Sequence, residues 1–251
     1  MAAGDVDVAI TQPSSIPCAS FDGVDDVIYA NVINQSGDIS TISFWVKLKS
    51  TAAAQQMYIN SPASNRRFGI DFETNIIEAG YYNGTSNVGN RGSSTISINV
   101  WYHVTYTFNG VTTGNLYING ILDNASTPAQ NTLSSGLRFG DRGLGVDNLN
   151  GFMRNVRVYN RVLSQAEITR LANDEDIRDG LVGHWPLNGN AEDTVGNNDG
   201  TVTGAVFIND CANLDTAMTT QRTTVGGISG SYLLCDVQGG SQVISTAIDE
   251  A

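Results

Sequence analysis

Residues 179–207, DGLVGHWPLNGNAEDTVGNNDGTVTGAVF, constrain the fold more than any other part of the chain. Leu181 to Trp185 reads as a short strand, Pro186 ends it, an Asn/Gly/Asp-rich loop follows, and Thr201 to Phe207 reads as a second strand. Two short strands bury too little apolar surface to offset the entropy of ordering them. The stretch must therefore complete a sheet whose other strands lie elsewhere, and where it docks decides the architecture.

Those other strands are written as period-two alternation between turn residues. Ile42, Phe44, Val46 and Leu48 alternate with Ser43, Trp45, Lys47 and Lys49, so one face of this strand is core. Trp45, on the opposite face, is either a ligand platform or packing for a loop. Residues 68–73 continue the alternation, and residues 76–82 form the next strand before Asn83-Gly84. Trp101 to Phe108 places Tyr102, Val104, Tyr106 and Phe108 on one face and Trp101, His103, Thr105 and Thr107 on the other. Asn109-Gly110 and Asn119-Gly120 mark further tight turns. Residues 19–29 read as a strand, a glycine-centred bend and a second strand, and residues 137–140 and 152–159 as the last strands before a helix. Ser164-Gln165-Ala166-Glu167 is a capping box with Leu163 and Ile168 at the staple positions, which predicts a helix to about Asn173 burying Ile168 and Leu171. Residues 231–237 and 241–245, around Gln238-Gly239-Gly240, read as a terminal hairpin, and residues 1–17, with Pro13 and Pro17, as an extended arm.

Turns recur at the spacing of a β-sandwich, and an abundance of Gly, Asn, Thr, Ser, Val and Ile with only 15% charged residues favours an all-β protein. The net charge of −12, with Lys47 and Lys49 the only lysines, repels phosphate backbones and argues against nucleic acid and anionic membranes as partners. Neither a basic, apolar leader nor a membrane-spanning apolar run is visible. Cys18, Cys211 and Cys235 are too few and too scattered for a disulfide framework or a zinc site, and read as buried thiols. Both tails are expected to be tied down by neighbouring subunits.

Residues 20–26 (SFDGVDD), 101–104 (WYHV), 116–120 (LYING) and 150–164 (NGFMRNVRVYNRVLS) resemble, in that order, the concanavalin A-like, laminin G-like jelly-roll domains. The resemblance spans roughly residues 18–207. It implies a two-sheet antiparallel jelly-roll sandwich with one short helix, and a sugar or protein ligand at a concave face or rim. In that family a segment like residues 180–207 precedes the SFDGVDD segment; here it follows the helix, so the order resembles a circular permutation. The expected layout is an N-terminal arm (1–17), the jelly roll (18–207, with 180–207 supplying the permuted strands) and a C-terminal arm with a hairpin (208–251). The late stretch is expected to pack within its own chain, with a swap into a neighbouring subunit as the alternative.

The chain offers little catalytic chemistry. Its two histidines, His103 and His184, lie inside expected strands and read as structural. Asp71 and Glu73 point to one face of a strand, the minimum for a glycosidase pair, yet the acidic triplet of the hydrolase branches is missing. Asp22, Asp25 and Asp26, or Asp193, Asn197, Asn198 and Asp199, could supply oxygen ligands to a structural calcium, although the acidic residues that relatives carry before the last strand are replaced by Met153-Arg154-Asn155. No cofactor and no catalytic residue is assigned. The functional expectation is a structural protein on the exterior of a virion, most simply a bacteriophage capsid-decoration protein. Its partners would be the major capsid protein, other virion proteins and further copies of itself in a homotrimer. The alternative is a carbohydrate-binding module or adhesin, with Trp45, Tyr81, Tyr82 and Trp101 as possible glycan-stacking residues.

Overall fold

The computed structural model describes residues 15–30, 39–50, 55–60, 66–73, 75–83, 87–108, 114–126, 136–141, 148–211, 220–225, 228–235 and 242–244. Most of the expected N-terminal arm and the extreme C-terminus lie outside these residues. In chain order the elements are β1 (Cys18–Asp22), β2 (Val27–Ala30), β3 (Thr41–Leu48), β4 (Gln55–Asn60), β5 (Arg66–Glu73), β6 (Ile76–Asn83), β7 (Asn87–Thr95), β8 (Trp101–Phe108), β9 (Gly114–Ile118), β10 (Ile121–Ser126), β11 (Leu137–Phe139), β12 (Asn150–Tyr159), α1 (Gln165–Ala172), β13 (Leu181–Trp185), β14 (Gly200–Thr203), β15 (Val206–Ile208), β16 (Thr220–Val225), β17 (Ile228–Cys235) and β18 (Gln242–Ile244).

Two antiparallel sheets make the sandwich. One has eight strands, ordered β10-β9-β8-β3-β12-β1-β15 with β13 also on β12; the other has seven, ordered β14-β2-β11-β4-β5-β6-β7. Phe21, Ile28, Phe44, Val46, Ile70, Phe72, Val104, Phe139 and Trp185 all belong to the buried core between them. Alternation explains which residues enter it: Ile42, Phe44, Val46 and Leu48 face inward from β3, as do Val104, Tyr106 and Phe108 from β8. The Asn119-Gly120 turn has φ of 51° and 79°, the left-handed pair that a two-residue hairpin between β9 and β10 requires.

The late stretch docks in its own chain and serves both sheets. β1 flanks the first half of β12, from Asn150 to Met153, and β13 flanks the second half, from Val156 to Tyr159. The chain then crosses to the other sheet, where β14 pairs with β2, and returns as β15 on the free side of β1. Trp185 is fully buried, stands edge-on to Phe139 with centroids 5.6 Å apart, and donates from Nε1 to the Asn198 carbonyl at 3.0 Å. The loop between is organised by Asp193, whose carboxylate accepts from the backbone N–H of His184 and Val195 and from the Asn198 side chain. Asp193 therefore closes a loop, and its oxygens are already engaged rather than poised for a cation.

Helix α1 runs from Gln165 to Ala172 with a complete capping box between Ser164 and Glu167, and buries Ile168, Leu171 and Ala172. Ile168 and Leu171 pack with Tyr117, Tyr159, Leu163 and Ile177 on the outer face of the eight-stranded sheet. The face of β3 read as core is core, and its other face is covered as well: all eight of its residues are buried. A third sheet, β16-β17-β18, contains the expected terminal hairpin as β17 paired with β18 and adds β16 to it. The cysteines need correction too. Cys18 and Cys211, 193 residues apart, form a buried disulfide that ties the end of β15's segment to β1. Spacing could not announce it, because the pairing depends on β15 lying beside β1.

Candidate functional site

Among the described residues the two sheets differ in what covers them. On the eight-stranded sheet the outer face is sealed. Trp45 is 3% exposed, with the Arg154 guanidinium 4.6 Å above its ring and the His103 ring 5.2 Å away. It offers no face to a glycan, because the acidic positions expected before the last strand hold Arg154 instead, and this side chain lies over the indole. Arg154 is fixed in turn by a two-pronged bridge to Asp174, with both contacts at 3.0 Å. Trp101 is half-buried, tilted against Phe152 at 6.5 Å beside the Cys18–Cys211 bridge.

His103 lies 2.8 Å from Ser43 through Nε2, a base beside a hydroxyl that the sequence did not foretell. Both residues are fully buried, and His103 Nδ1 has no carboxylate to orient it. Burial first, then the positive charge of Arg157, pushes the His103 pKa down to about 3. A pair without an orienting group or a path for substrate does no nucleophilic chemistry. His184 reaches Thr194 Oγ1 at 3.1 Å and is likewise structural.

On the seven-stranded sheet the register builds a different surface. Ile28 and Ala30 of β2 and Leu137 and Phe139 of β11 face the core, so Tyr29 and Arg138 between them face outward. Residues directly opposite in antiparallel strands share a face. Thr201 of β14 opposes Tyr29, Tyr29 opposes Arg138, and Arg138 opposes Tyr58 of β4; the row continues through Gly69, Gly80 and Gly89 on β5, β6 and β7. Three consecutive strands thus carry no side chain along one line. On either side of the line the register sets polar rows, Gln56-Asp71-Glu78-Arg91 and Asn60-Arg67-Tyr82-Asn87. In register, a line of backbone without side chains, here called the trough, thus runs between two rows of hydrogen-bonding residue types.

At the described end of the trough the side chains are held by one another. Arg138 makes a bidentate pair with Asp141, at 2.7 and 2.9 Å, and its guanidinium carbon lies 5.6 Å from the Tyr29 ring centroid. A Cβ on Gly136 would come within 2.6 Å of that ring, so glycine there lets the tyrosine lie flat along the backbone. Of the four stacking candidates, Trp45 and Trp101 lie on β3 and β8 of the eight-stranded sheet and Tyr81 and Tyr82 on β6 of the seven-stranded one, so the four do not share a sheet; Tyr29, Arg138 and the glycine row were not among them. The signal was the placement of Gly69, Gly80 and Gly89 at outward positions of successive strands, which becomes visible only once the register is known.

Asp22, Asp25 and Asp26 do converge, with carboxylate oxygens within 4.8 Å of one another. Asp26 is buried and accepts from the Asp22 N–H at 2.8 Å; burial first, then the negative charges of Asp22 and Asp25, raises its pKa. Lys49, held by Ser20 Oγ at 3.1 Å, supplies positive charge beside the trio. These donors suit a hard cation in type, but Lys49 already offsets part of their charge.

A two-layer antiparallel sandwich, with its one described helix packed on the eight-stranded sheet, is a lectin-like jelly roll. Residues 22–169 match the family model of the concanavalin A-like lectin/glucanases superfamily, and the chain belongs to that family. No curated protein matches the chain. Among solved structures it is similar to a Bacteroides ovatus protein described as carbohydrate-binding, with a TM-score of 0.61, 17% identity, and 80% of this chain and 62% of that one covered. It is also similar to a heptameric SAP-like pentraxin from Limulus polyphemus, at TM-score 0.57 and 14% identity, covering 80% of this chain and 99% of that one. A third is domain 4 of a GH43 extracellular arabinanase from Geobacillus stearothermophilus, in complex with arabinotriose, at TM-score 0.50 and 18% identity, covering 62% and 76%. At these identities the likeness establishes the fold alone, and the chain spans less than two thirds of the Bacteroides protein's length. No described helix is long and apolar enough to cross a membrane.

Proposed function

We propose that the chain is a carbohydrate-binding domain whose ligand lies along the outer face of the seven-stranded sheet. The observation that carries the reading is the row Tyr29, Arg138, Tyr58, Gly69, Gly80, Gly89. A sugar ring presents hydroxyls at its edge and C–H groups on its faces. It needs a shallow, dry floor with polar groups to either side and an aromatic or guanidinium plane at one end. The similarity to a carbohydrate-binding protein and to an arabinotriose-bound domain supports this reading over one as a purely structural subunit. The register also sets Asp71 opposite Glu78 beside the trough, so hydrolysis is an outcome to be measured alongside binding.

The test is a polysaccharide array followed by calorimetric titration of the best ligand, with release of reducing ends assayed in parallel. Gly80→Val fills the floor with a residue that suits a strand, so the fold is retained while binding drops at least about tenfold, roughly 1.4 kcal/mol. Binding without cleavage is the expected result. Silence across the array, or full binding by Gly80→Val, would contradict the assignment, and reducing ends lost in Asp71→Asn would make the protein a hydrolase.

The setting we infer is outside a reducing cytoplasm, because the buried Cys18–Cys211 bridge needs an oxidising environment to form. The exterior of a virus particle, with capsid proteins and further copies of the chain as partners, is one such place. Imaging of purified particles with an antibody to this chain tests it; particles that lack the chain would discard that setting and leave the glycan-binding reading intact.

A further inference from the structure

Besides Trp101 Nε1, six buried side-chain atoms on the outer face of the eight-stranded sheet make no hydrogen bond: Trp45 Nε1, His103 Nδ1, Thr105 Oγ1, Arg154 Nε, and Nε and Nη1 of Arg157. The register gathers them into two neighbouring rows. Arg157, Ser43 and Thr105 stand opposite one another in the first, and Arg154, Trp45 and His103 in the second. The arginine and tryptophan nitrogens can only donate, the threonine hydroxyl can donate, and His103 Nδ1 carries the proton whenever Nε2 accepts from Ser43. Buried polar groups are nearly always paired, so a patch lined by donors calls for an acceptor between them.

The charges point the same way. Arg154 is matched by Asp174, but Arg157, only 5% exposed, has no carboxylate partner among the described residues. His103 is neutral in this environment and adds no charge. Asp174 and Asp176 act on Arg157 without an ion pair to it, so this buried positive charge has no direct counter-ion among the described residues, and buried charges persist when they are paired. Ser43 sits between Arg157 and Thr105 with only a hydroxymethyl side chain, turned to His103. Ser43, Thr105 and Arg157 are buried, and Tyr117, Tyr159, Leu163, Ile168 and Leu171 pack together on the same side of the sheet.

We propose that one small monovalent anion of chloride's size and chemistry is bound over Ser43, held by Arg157 and Thr105 and neutralising the arginine. This site is independent of the glycan trough, which lies on the other sheet.

The test uses the full chain, unfolded with its disulfide intact and refolded in sodium chloride, in sodium bromide, or in sodium gluconate at the same ionic strength. A roughly hundredfold rise in free chloride should raise Tm by several degrees over the gluconate control. The dependence should vanish in Arg157→Met, or in Thr105→Val if the arginine variant does not fold. Crystals of the bromide-refolded protein should show an anomalous peak within contact of Arg157 and Thr105. Equal Tm in chloride and gluconate, or no anomalous peak at this position, would overturn the proposal and assign the donors to water.

Discussion

Burial decides the titration of His103 and His184, and with it the response of the fold to acid. Removal from water, followed by the charge of Arg157, lowers His103 to about 3 and His184 to about 4, from an ordinary value of 6.5. Between these limits the unfolded chain binds protons that the folded chain refuses, so stability is lost as pH falls below 6.5. Glu167 adds to the loss lower down: its bonds to Arg161 and to the Ser164 N–H hold it at about 2 against an ordinary 4.5, so its contribution fades as pH drops below 4.5. Urea midpoints should decline steadily from pH 7 to pH 4, and His103→Gln, whatever its midpoint, should flatten the slope. A midpoint constant down to pH 5 would mean the histidines are solvated. Alternation placed Trp45 on the face away from the core, but alternation carries no information about Arg154 covering that face.

Among the elements, legibility followed amphipathic contrast. β3, β8 and β12 could be read because their apolar residues alternate, and α1 because its cap and staple are local in sequence. β4 and β7 could not. Gln55–Asn60 mixes polar and apolar residues without a period, and Asn87–Thr95 contains a single aliphatic residue, Val88; both are strands because β5 and β6 present free edges to pair with. The late stretch was legible as an incomplete sheet, though not as one that serves two sheets in succession. Its energetic weight is testable: Trp185→Ala should cost about 3–5 kcal/mol in equilibrium unfolding, since the ring is fully buried and its N–H bonded. A loss below 1 kcal/mol would place residues 181–208 outside the cooperative core. Ser164→Ala should cost about 1 kcal/mol through the lost helix cap, with Gly at the same position milder.

For the molecule as a whole, the disulfide and the open sheet pull the account together. Closing 193 residues of chain, the Cys18–Cys211 bridge restricts the unfolded state; replacing both cysteines by serine should lower stability by roughly 3–5 kcal/mol, read as a drop in Tm. An unchanged Tm would show that the pairing adds nothing to the fold. Among the described residues no helix packs on the seven-stranded sheet, and across that sheet the chain places three glycines in line with Tyr29 and Arg138. The trough was hidden from sequence reading because it belongs to register, a property of strands paired across the molecule rather than of any one segment. The most direct measurement is an amide-resolved NMR titration with the best-binding oligosaccharide. The account predicts shifts confined to β2, β11 and β4 to β7, centred on Gly69, Gly80 and Arg138. Shifts clustered around Trp101 and the eight-stranded sheet, with the glycine row silent, would contradict it.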